Sequence, residues 1–198
     1  MRATQVTLTH LRKVRRCYFL IKLSPFQLGG PHLRAMTRKG KWTASVPTHS
    51  ESRIVPYTAD LMYAVVADVE RYPEFLPWCA GLRVLKRERD GEREIVLAEM
   101  LVGYKSLRER YTSRVILDRQ ARTIDVVQTE GVFRALENHW RFTPEGTSAR
   151  VDFSILFEFR NRVLALAANA VLGPVMLKMS HAFEARAKKL SEQALQQK

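Results

Sequence analysis

The stretch ARVDFSILFEFR, residues 149–160, decides the fold. Bulky apolar residues recur at every second position of this stretch: Val151, Phe153, Ile155, Phe157 and Phe159. Because successive side chains of a β-strand point to opposite faces of the sheet, this spacing predicts a strand with one apolar face. The stretch ends a region, residues 82–160, in which runs of period two alternate with turn signals at RDGE, DRQAR and TPEGT. We therefore expect a meander of about six antiparallel strands.

A helix is predicted before this region. The short apolar run Ile54–Tyr57 suggests a strand, and Thr58 is suited to cap a helix whose apolar residues follow at helical spacing. We expect the helix to end by Tyr72, because Pro73 disfavours helical backbone at the residue before it.

A long helical pattern closes the chain, from Asn161 to about Gln193. Its first half, VLALAANAVLGPVML, is apolar on all sides apart from Asn169. A segment of this length spans roughly 22 Å, short of the ~30 Å hydrocarbon core, so a transmembrane anchor is not favoured. The pattern indicates either a core helix against the sheet or a helix that lines a ligand cavity or touches a membrane. Pro174 predicts a kink or hinge that a lid over a cavity could use.

These elements predict an α+β fold, with a strand, a helix, a curved antiparallel sheet and a long C-terminal helix that the sheet grips. One face of the sheet needs an apolar cover. Only the closing helix is long enough to supply that cover.

The net charge of +13 is concentrated near the start of the chain. Residues 1–50 hold ten of the 33 Lys and Arg and no Asp or Glu, which leaves 23 basic and all 20 acidic residues for the rest. An Arg-rich, acid-free composition is typical of an organelle transit peptide, or of a non-native or dispensable extension. We therefore expect a basic, poorly ordered extension over 1–46 and a folded domain over 47–198. Because most of the net charge lies outside the folded domain, DNA is not an expected partner.

The sequence contains no recognisable catalytic or metal-binding motif. The two cysteines, Cys17 and Cys79, make neither zinc spacing nor a disulfide framework, which indicates a reducing compartment. His139 and His181 fall on charged surfaces, and Cys79 is expected to be a buried thiol near Trp78. We therefore expect a binding protein with no catalytic residues, no metal ion and no catalytic cofactor.

An aromatic segment, ERYPEFLPWC at 70–79, follows the first helix. Its two prolines all but forbid a regular helix or strand. We expect its bulky side chains to lie at the mouth of a cavity, where they face inward on a ligand, inward on a filled core, or outward to lipid. These side chains are Tyr72, Phe75, Leu76 and Trp78.

Four stretches together resemble a known family: the segment from PTHSE to PWC at 47–79, RERYTSRV, ENHWRF and VDFSILFEFRNRVL. They are similar to the coenzyme Q-binding protein family of START-like domains over roughly residues 47–190. Bacterial members of that family are also described as ribosome association toxins or as polyketide cyclase/dehydrase-type lipid-transport proteins. The resemblance implies a helix-grip fold with a hydrophobic cavity between sheet and closing helix. It also implies ubiquinone or another prenyl lipid as bound ligand, a role in respiratory electron transport as a lipid chaperone or carrier, and peripheral contact with the respiratory membrane.

A polyisoprenoid tail needs a long apolar slot, and a quinone head needs one or two hydrogen-bond donors. Tyr104, Tyr111 and Asn138 could donate these bonds, although each also fits a packing or structural role. The full set of candidate ligand-binding residues is Tyr72, Phe75, Leu76, Trp78, Leu101, Tyr104, Tyr111, Asn138, Trp140, Phe153, Phe157, Leu166 and Val175.

Two alternatives stay open at this point. A ribosome-associating protein that binds the large subunit and blocks subunit joining needs a basic face, for which the candidates are Arg108, Arg110, Arg114 and, on a neighbouring strand, Arg141. A cyclase or dehydratase on the same fold needs an acid or base inside the cavity. The expected location is the bacterial cytoplasm or the cytoplasmic face of the inner membrane. If the basic extension is a transit peptide, it is the matrix side of the mitochondrial inner membrane.

Overall fold

The structure, a computed structural model, describes residues 48–104, 107–161, 165 and 172–196. The predicted extension at 1–46 and the candidate residue Leu166 lie outside these ranges. The described elements follow one another as β1 (Thr48–Val55), α1 (Ala59–Ala67), a 3₁₀ turn (Val69–Arg71), α2 (Tyr72–Phe75), β2 (Cys79–Asp90), β3 (Arg93–Tyr104), β4 (Leu107–Asp118), β5 (Thr123–Gly131), β6 (Phe133–Glu145), β7 (Ser148–Phe159) and α3 (Leu172–Gln196).

The strands form one seven-stranded sheet in the order β1-β7-β6-β5-β4-β3-β2, and all neighbouring strands are antiparallel. The predicted meander is therefore confirmed as β2 to β7, and β1 adds a seventh strand beside β7. Register shifts interrupt the β2/β3, β4/β5 and β6/β7 pairings, and such bulges bend the strands that carry them.

The first strand and the first helix differ in their bounds from the prediction. β1 ends at Val55 instead of continuing to Tyr57, because Pro56 has no N–H for the ladder. Thr58 caps α1 as predicted, since its Oγ1 accepts a hydrogen bond from the backbone N–H of Leu61 at 3.3 Å. The helix then ends at Ala67, five residues before the predicted limit.

The expectation that prolines exclude regular structure from the aromatic segment was wrong for its first half. Tyr72–Phe75 forms the short helix α2, with Pro73 in its first turn. The N–H that proline lacks has no partner at this position of a helix in any case, so the cost of Pro73 is small.

The closing helix α3 runs to Gln196, slightly past the predicted end. Residues 162–164 and 166–171 are outside the described part of the chain, so the kink predicted at Pro174 stays a prediction. The helix α3 is amphipathic, because Met176, Phe183 and Ala187 are buried while Lys178, Lys188 and Lys189 are exposed.

The main core lies on the face of the sheet that α1 and α3 cover, called the inner face below. It joins side chains of α1 and α3 to alternate residues of the strands. Its members from the sheet include Val96, Val115, Ile124, Trp140, Phe142, Val151 and Phe153. The opposite, outer face carries most of the charged side chains of the strands.

Candidate functional site

Strand register brings polar residues together on the inner face near the β1 edge. Phe153 of β7 pairs with Glu51 on one side and Trp140 on the other. One row along the sheet, Ile155 pairs with His49 and with Asn138. Since side chains alternate along a strand, these two rows share one face.

Three buried side-chain atoms in this region have no hydrogen-bond partner within the described residues: His49 Nε2, Arg53 Nη1 and Asn138 Oδ1. The nearest acid to His49 Nε2 is Glu51 Oε2 at 3.8 Å, an ion-pair separation that is too long for a hydrogen bond. A buried polar group without a partner costs about 1–3 kcal/mol, and such groups are rare in native proteins. This part of the inner face therefore has unused capacity for hydrogen bonds.

The polar groups continue onto the closing helix. Arg53 contacts Glu51 through Nε at 3.2 Å and Glu184 of α3 through Nη2 at 2.9 Å. Ser180 of α3 donates a hydrogen bond to Glu51 at 3.0 Å. The five residues His49, Glu51, Arg53, Ser180 and Glu184 are called the β1/α3 seam below. These contacts hold the closing helix against the edge strand of the sheet.

A narrow cleft lies beside the seam. Its free volume is about 20 Å³, and six apolar side chains complete its lining: Val55, Met62, Trp140, Val151, Phe153 and Phe183. A water molecule needs roughly 10–15 Å³, whereas ligand pockets usually span about 300–1,000 Å³. The cleft between these described residues therefore has room for about one water molecule and not for a lipid.

The aromatic segment packs inward against α3 and the sheet. Phe183 of α3 lies edge-to-face against Tyr72, Phe75 and Trp140, each with ring centroids 5.4 Å away. Leu76 is buried, and Trp78 packs against the same core while partly exposed. These side chains therefore face inward, and whether they fill the core or line a ligand site stays a prediction.

The same segment is tied to α3 by charge and held by a tyrosine hydroxyl. Arg186 of α3 lies 3.2 Å from Glu74 and 5.7 Å from the Phe75 ring centroid, an ion pair and a cation–π contact on one side chain. The Tyr72 hydroxyl donates to the carbonyl of Val66 at 2.5 Å. Burial raises the pKa of Tyr72, so this hydroxyl stays a protonated donor.

A second aromatic group lies further along the sheet. Tyr111 contacts Phe133 edge-to-face at 5.5 Å, and Phe133 contacts Phe159 at 4.7 Å. The Tyr111 hydroxyl donates only to the sulfur of Met100, at 3.2 Å, and thioether sulfur is a weak acceptor. Burial raises the pKa of Tyr111 as well, so it is a protonated donor whose present partner a carbonyl oxygen could replace.

The other candidate residues divide between the two faces. Trp140, Phe153 and Phe157 are buried on the inner face, and Val175 packs against the core. Leu101 was assigned to the wrong face, because it pairs with the exposed Arg110 while its neighbour Met100 pairs with Tyr111. The strand β3 is apolar on both faces, so its sequence could not show which of its residues point inward. Leu166 and the side chain of Tyr104 are outside the described part of the chain.

Cys79 and His139 lie on opposite faces of the sheet, Cys79 in the core and His139 outside. Cys79 is buried as predicted, its Sγ lies 3.7 Å from the carbonyl oxygen of Gly81, and burial raises its pKa to about 11. His139 is partly exposed on the outer face, where Nδ1 lies 2.5 Å from Asp125 Oδ1, a partner that the sequence did not indicate. Within the described residues no group of three or more His, Cys, Asp and Glu side chains could hold a metal ion.

A basic patch lies on the outer face of the sheet. Arg108, Arg110 and Arg114 are exposed on β4, as predicted. Arg83 of β2 joins them, since Arg83 and Arg110 both contact Glu99, at 3.1 and 3.4 Å. These four arginines are called the outer patch below.

The prediction that Arg141 extends this patch was wrong. Arg141 lies on β6, which β5 separates from β4, and it pairs with Thr123 and Asp152. The register therefore puts Arg141 well along the sheet from Arg114, which pairs with Val127. Sequence proximity of charged runs could not reveal this offset.

None of the helices in the described residues is long and apolar enough to cross a bilayer.

Comparison with known proteins supports the resemblance seen in the sequence. A family model described as polyketide cyclase/dehydrase and lipid transport matches residues 55–184. The ribosome association toxin RatA of Rickettsia prowazekii is 33% identical over 142 residues, which make up 70% of this chain and 94% of that protein. The coenzyme Q-binding protein COQ10 homolog B, mitochondrial, of Xenopus laevis is 33% identical over 144 residues, 70% of this chain and 57% of that protein.

Solved structures confirm the helix-grip, START-like fold. An 18 kDa protein from Caulobacter crescentus matches with a TM-score of 0.64 and 40% identity, over 74% of this chain and 99% of that one. A START superfamily protein from Mycobacterium smegmatis matches with a TM-score of 0.62 and 20% identity, over 72% of this chain and 98% of that one. An aromatase/cyclase from Streptomyces sp. R1128 matches with a TM-score of 0.63 and 19% identity, over 73% of this chain and 95% of that one. The last two likenesses show the fold alone.

Proposed function

This chain belongs to the polyketide cyclase/dehydrase and lipid transport family, and from that premise we propose that it binds ubiquinone or a related prenyl lipid between the sheet and the closing helix. In this role it is a lipid chaperone or carrier that supports quinone function in respiratory electron transport. One observation carries the proposal: three buried polar atoms of the inner face have no hydrogen-bond partner within the described residues. The relative named as a coenzyme Q-binding protein supports the choice of ligand.

Asn138 suits a ligand that carries oxygen. Its row on β6 is otherwise apolar or aromatic, with Leu136, Trp140 and Phe142 buried. The amide oxygen accepts a bond from a hydroquinone hydroxyl, and a half turn of the same amide presents its NH₂ to a quinone carbonyl. One side chain therefore serves both redox forms of the ligand.

The proposed action is binding without catalysis. The thiol of Cys79 and the hydroxyls of Tyr72 and Tyr111 are held in their protonated forms by burial. An enzyme of the cyclase or dehydratase kind needs a free acid or base inside the cavity. The carboxylates of Glu51 and Glu184 are both bound to Arg53, so within the seam His49 is the side chain that such an enzyme could use. The proposed place of action is the surface of a respiratory membrane, reached from the bacterial cytoplasm or from the mitochondrial matrix.

Mass spectrometry of the native cargo tests this proposal. The full chain is purified from a quinone-containing host, extracted with organic solvent and analysed for quinone and lipid. We expect quinone or another prenyl lipid to co-purify with the wild type, and Asn138→Leu to retain at least about tenfold less of it. The ligand-free form of Asn138→Leu is expected to be about 1–3 kcal/mol more stable than the ligand-free wild type, because a buried polar group without a partner is removed. The control Glu137→Leu changes the next residue, on the outer face, and retains the cargo. An empty wild-type protein that also takes up no quinone in vitro contradicts the proposal.

A second candidate function is association with the large ribosomal subunit, which blocks subunit joining. The observation that favours it is the outer patch of four exposed arginines, of which Arg83 and Arg110 share Glu99 as an ion-pair partner. Arginines bind the phosphates of RNA, and such binding weakens steeply with salt. The relative named as a ribosome association toxin supports this candidate.

Co-sedimentation with large subunits tests the second candidate. We expect binding at low salt that falls as salt rises, and a further loss of about tenfold for the double variant Arg108→Gln/Arg114→Gln. Arg134→Gln is the matched control, because that exposed arginine is paired with Glu158 at 2.8 Å on another strand. Absence of binding at low salt contradicts this candidate and leaves lipid binding untouched.

A further inference from the structure

With His49 counted as neutral, the β1/α3 seam carries one more negative than positive charge at the edge of an apolar core. Two carboxylates, Glu51 and Glu184, face one guanidinium, Arg53. All three side chains are more than two thirds buried, at 21, 27 and 30% exposure. The carboxylates therefore already neutralise Arg53, and partly buried charges of this kind are screened less by salt than exposed ones.

The same seam holds two buried nitrogen atoms without a hydrogen-bond partner in the described residues, Arg53 Nη1 and His49 Nε2. Guanidinium nitrogens can only donate, so Arg53 Nη1 needs an acceptor. His49 and Asn138 flank Ile155 on either side. Two strand spacings, about 9–10 Å, separate their backbones, and Ile155 points to the same face between them, so a ring that reaches both side chains lies over Ile155.

We propose, on the basis of the proposed function, that the seam is the subsite for the head of the ligand and that it selects an uncharged, oxygen-bearing head over an anionic one. Carbonyl or ether oxygens of such a head accept from Arg53 Nη1 and His49 Nε2, while Asn138 meets its other side. An anionic head, such as the carboxylate of a fatty acid or the phosphate of a phospholipid, meets Glu51 and Glu184 at close range. Like charges that face each other in this way act against the wrong ligand.

Two ligands with the same tail and different heads test this inference. Decylubiquinone has an uncharged head and decyl phosphate an anionic one, and isothermal titration calorimetry with the full chain measures both affinities. We expect decylubiquinone to bind at least about tenfold more tightly. Glu184→Gln is expected to narrow that ratio by about fivefold or more, through tighter binding of decyl phosphate. Glu192→Gln, an exposed position near the end of the same helix, is the control and leaves the ratio unchanged.

Each outcome separates this inference from the proposed function. Equal affinity of the two ligands for the wild type, or a ratio that Glu184→Gln does not change, overturns the assignment of the seam and leaves lipid binding standing. Failure of both ligands to bind contradicts the proposed function itself. Circular dichroism shows whether the variant is folded, and Glu51→Gln provides the same test if Glu184→Gln is not.

Discussion

Replacing Phe183 by alanine tests whether the aromatic segment and the closing helix form a filled core or the wall of a ligand site. Phe183 is 3% exposed and touches three aromatic rings, those of Tyr72, Phe75 and Trp140. Truncation of a buried phenylalanine costs about 3–5 kcal/mol, and aromatic pairs add about 0.5–1.5 kcal/mol each beyond the buried area. We therefore expect Phe183→Ala to lose about 4–5 kcal/mol, at the upper end of this range.

Urea unfolding followed by circular dichroism measures that loss, and thermal unfolding provides a second reading. For a chain of this size each kcal/mol shifts the melting temperature by roughly 2–4 °C, so a fall of about 10 °C or more is expected. The control is Leu177→Ala, an apolar residue of the same helix that is 53% exposed, with an expected change within about 0.5 kcal/mol.

The same variant distinguishes the core from a ligand wall. Phe183 also lines the cleft beside the seam, so its removal enlarges a space that is now about 20 Å³. If the three rings only fill the core, quinone retention by the folded variant stays within about twofold of the wild type or rises. A loss of stability below about 2 kcal/mol, or a loss of quinone retention with stability intact, refutes the filled core.

Two further predictions concern the sheet and the buried thiol. Gly131→Ala is expected to lower the free energy of unfolding by well over 2 kcal/mol, because φ is +132° at this residue and an added Cβ meets the Tyr111 Cβ at 2.5 Å. The control Gly146→Ala costs about 1 kcal/mol, because φ is +62° there but an added Cβ has nothing within 4 Å. Urea unfolding compares the two variants, and equal losses contradict the clash. In a Cys17→Ser background, Cys79 is expected to react with a thiol reagent at pH 8 far more slowly than in urea. Burial raises the pKa of the Cys79 thiol from 9.0 to about 11, so the thiol contributes to the free energy of unfolding below pH 9 and loses this contribution as the pH rises through about 11. A free energy of unfolding that does not change over that range contradicts the assignment of Cys79 as a buried thiol.

Strands in which apolar residues recur at every second position were predicted correctly from the sequence. Val151 and Phe153 on β7 show their inward face in the sequence, and the structure buries both. Asn138 was named only as a possible hydrogen-bond donor, and the structure places it on the inner face between the buried Leu136 and Trp140. Leu101 was misplaced for the opposite reason, since both parities of β3 are apolar and only the register shows that it lies outside.

The β1/α3 seam could not be predicted from the sequence. Glu51 and Ser180 are 129 residues apart in the chain and meet only because the edge strand and the closing helix converge. A carboxylate on a strand or a helix is ordinarily solvated, so neither residue carries a local signal of its partner. Arg83 was missed in the same way, because its place in the outer patch depends on the pairing of β2 with β3.

The two candidate functions use opposite faces of one sheet, so they can be separated residue by residue. On β4, Tyr111 and Ser113 point to the inner face while Arg110 and Arg114 point to the outer face. Since a strand alternates its side chains, an arginine substitution leaves the packing of the inner face in place. Ribosome association that fails in the arginine variants while quinone retention persists shows that the faces act independently. If quinone loading changes ribosome association in the wild type, the sheet itself couples them, and by thermodynamic reciprocity ribosomal subunits must then alter quinone affinity by the same factor.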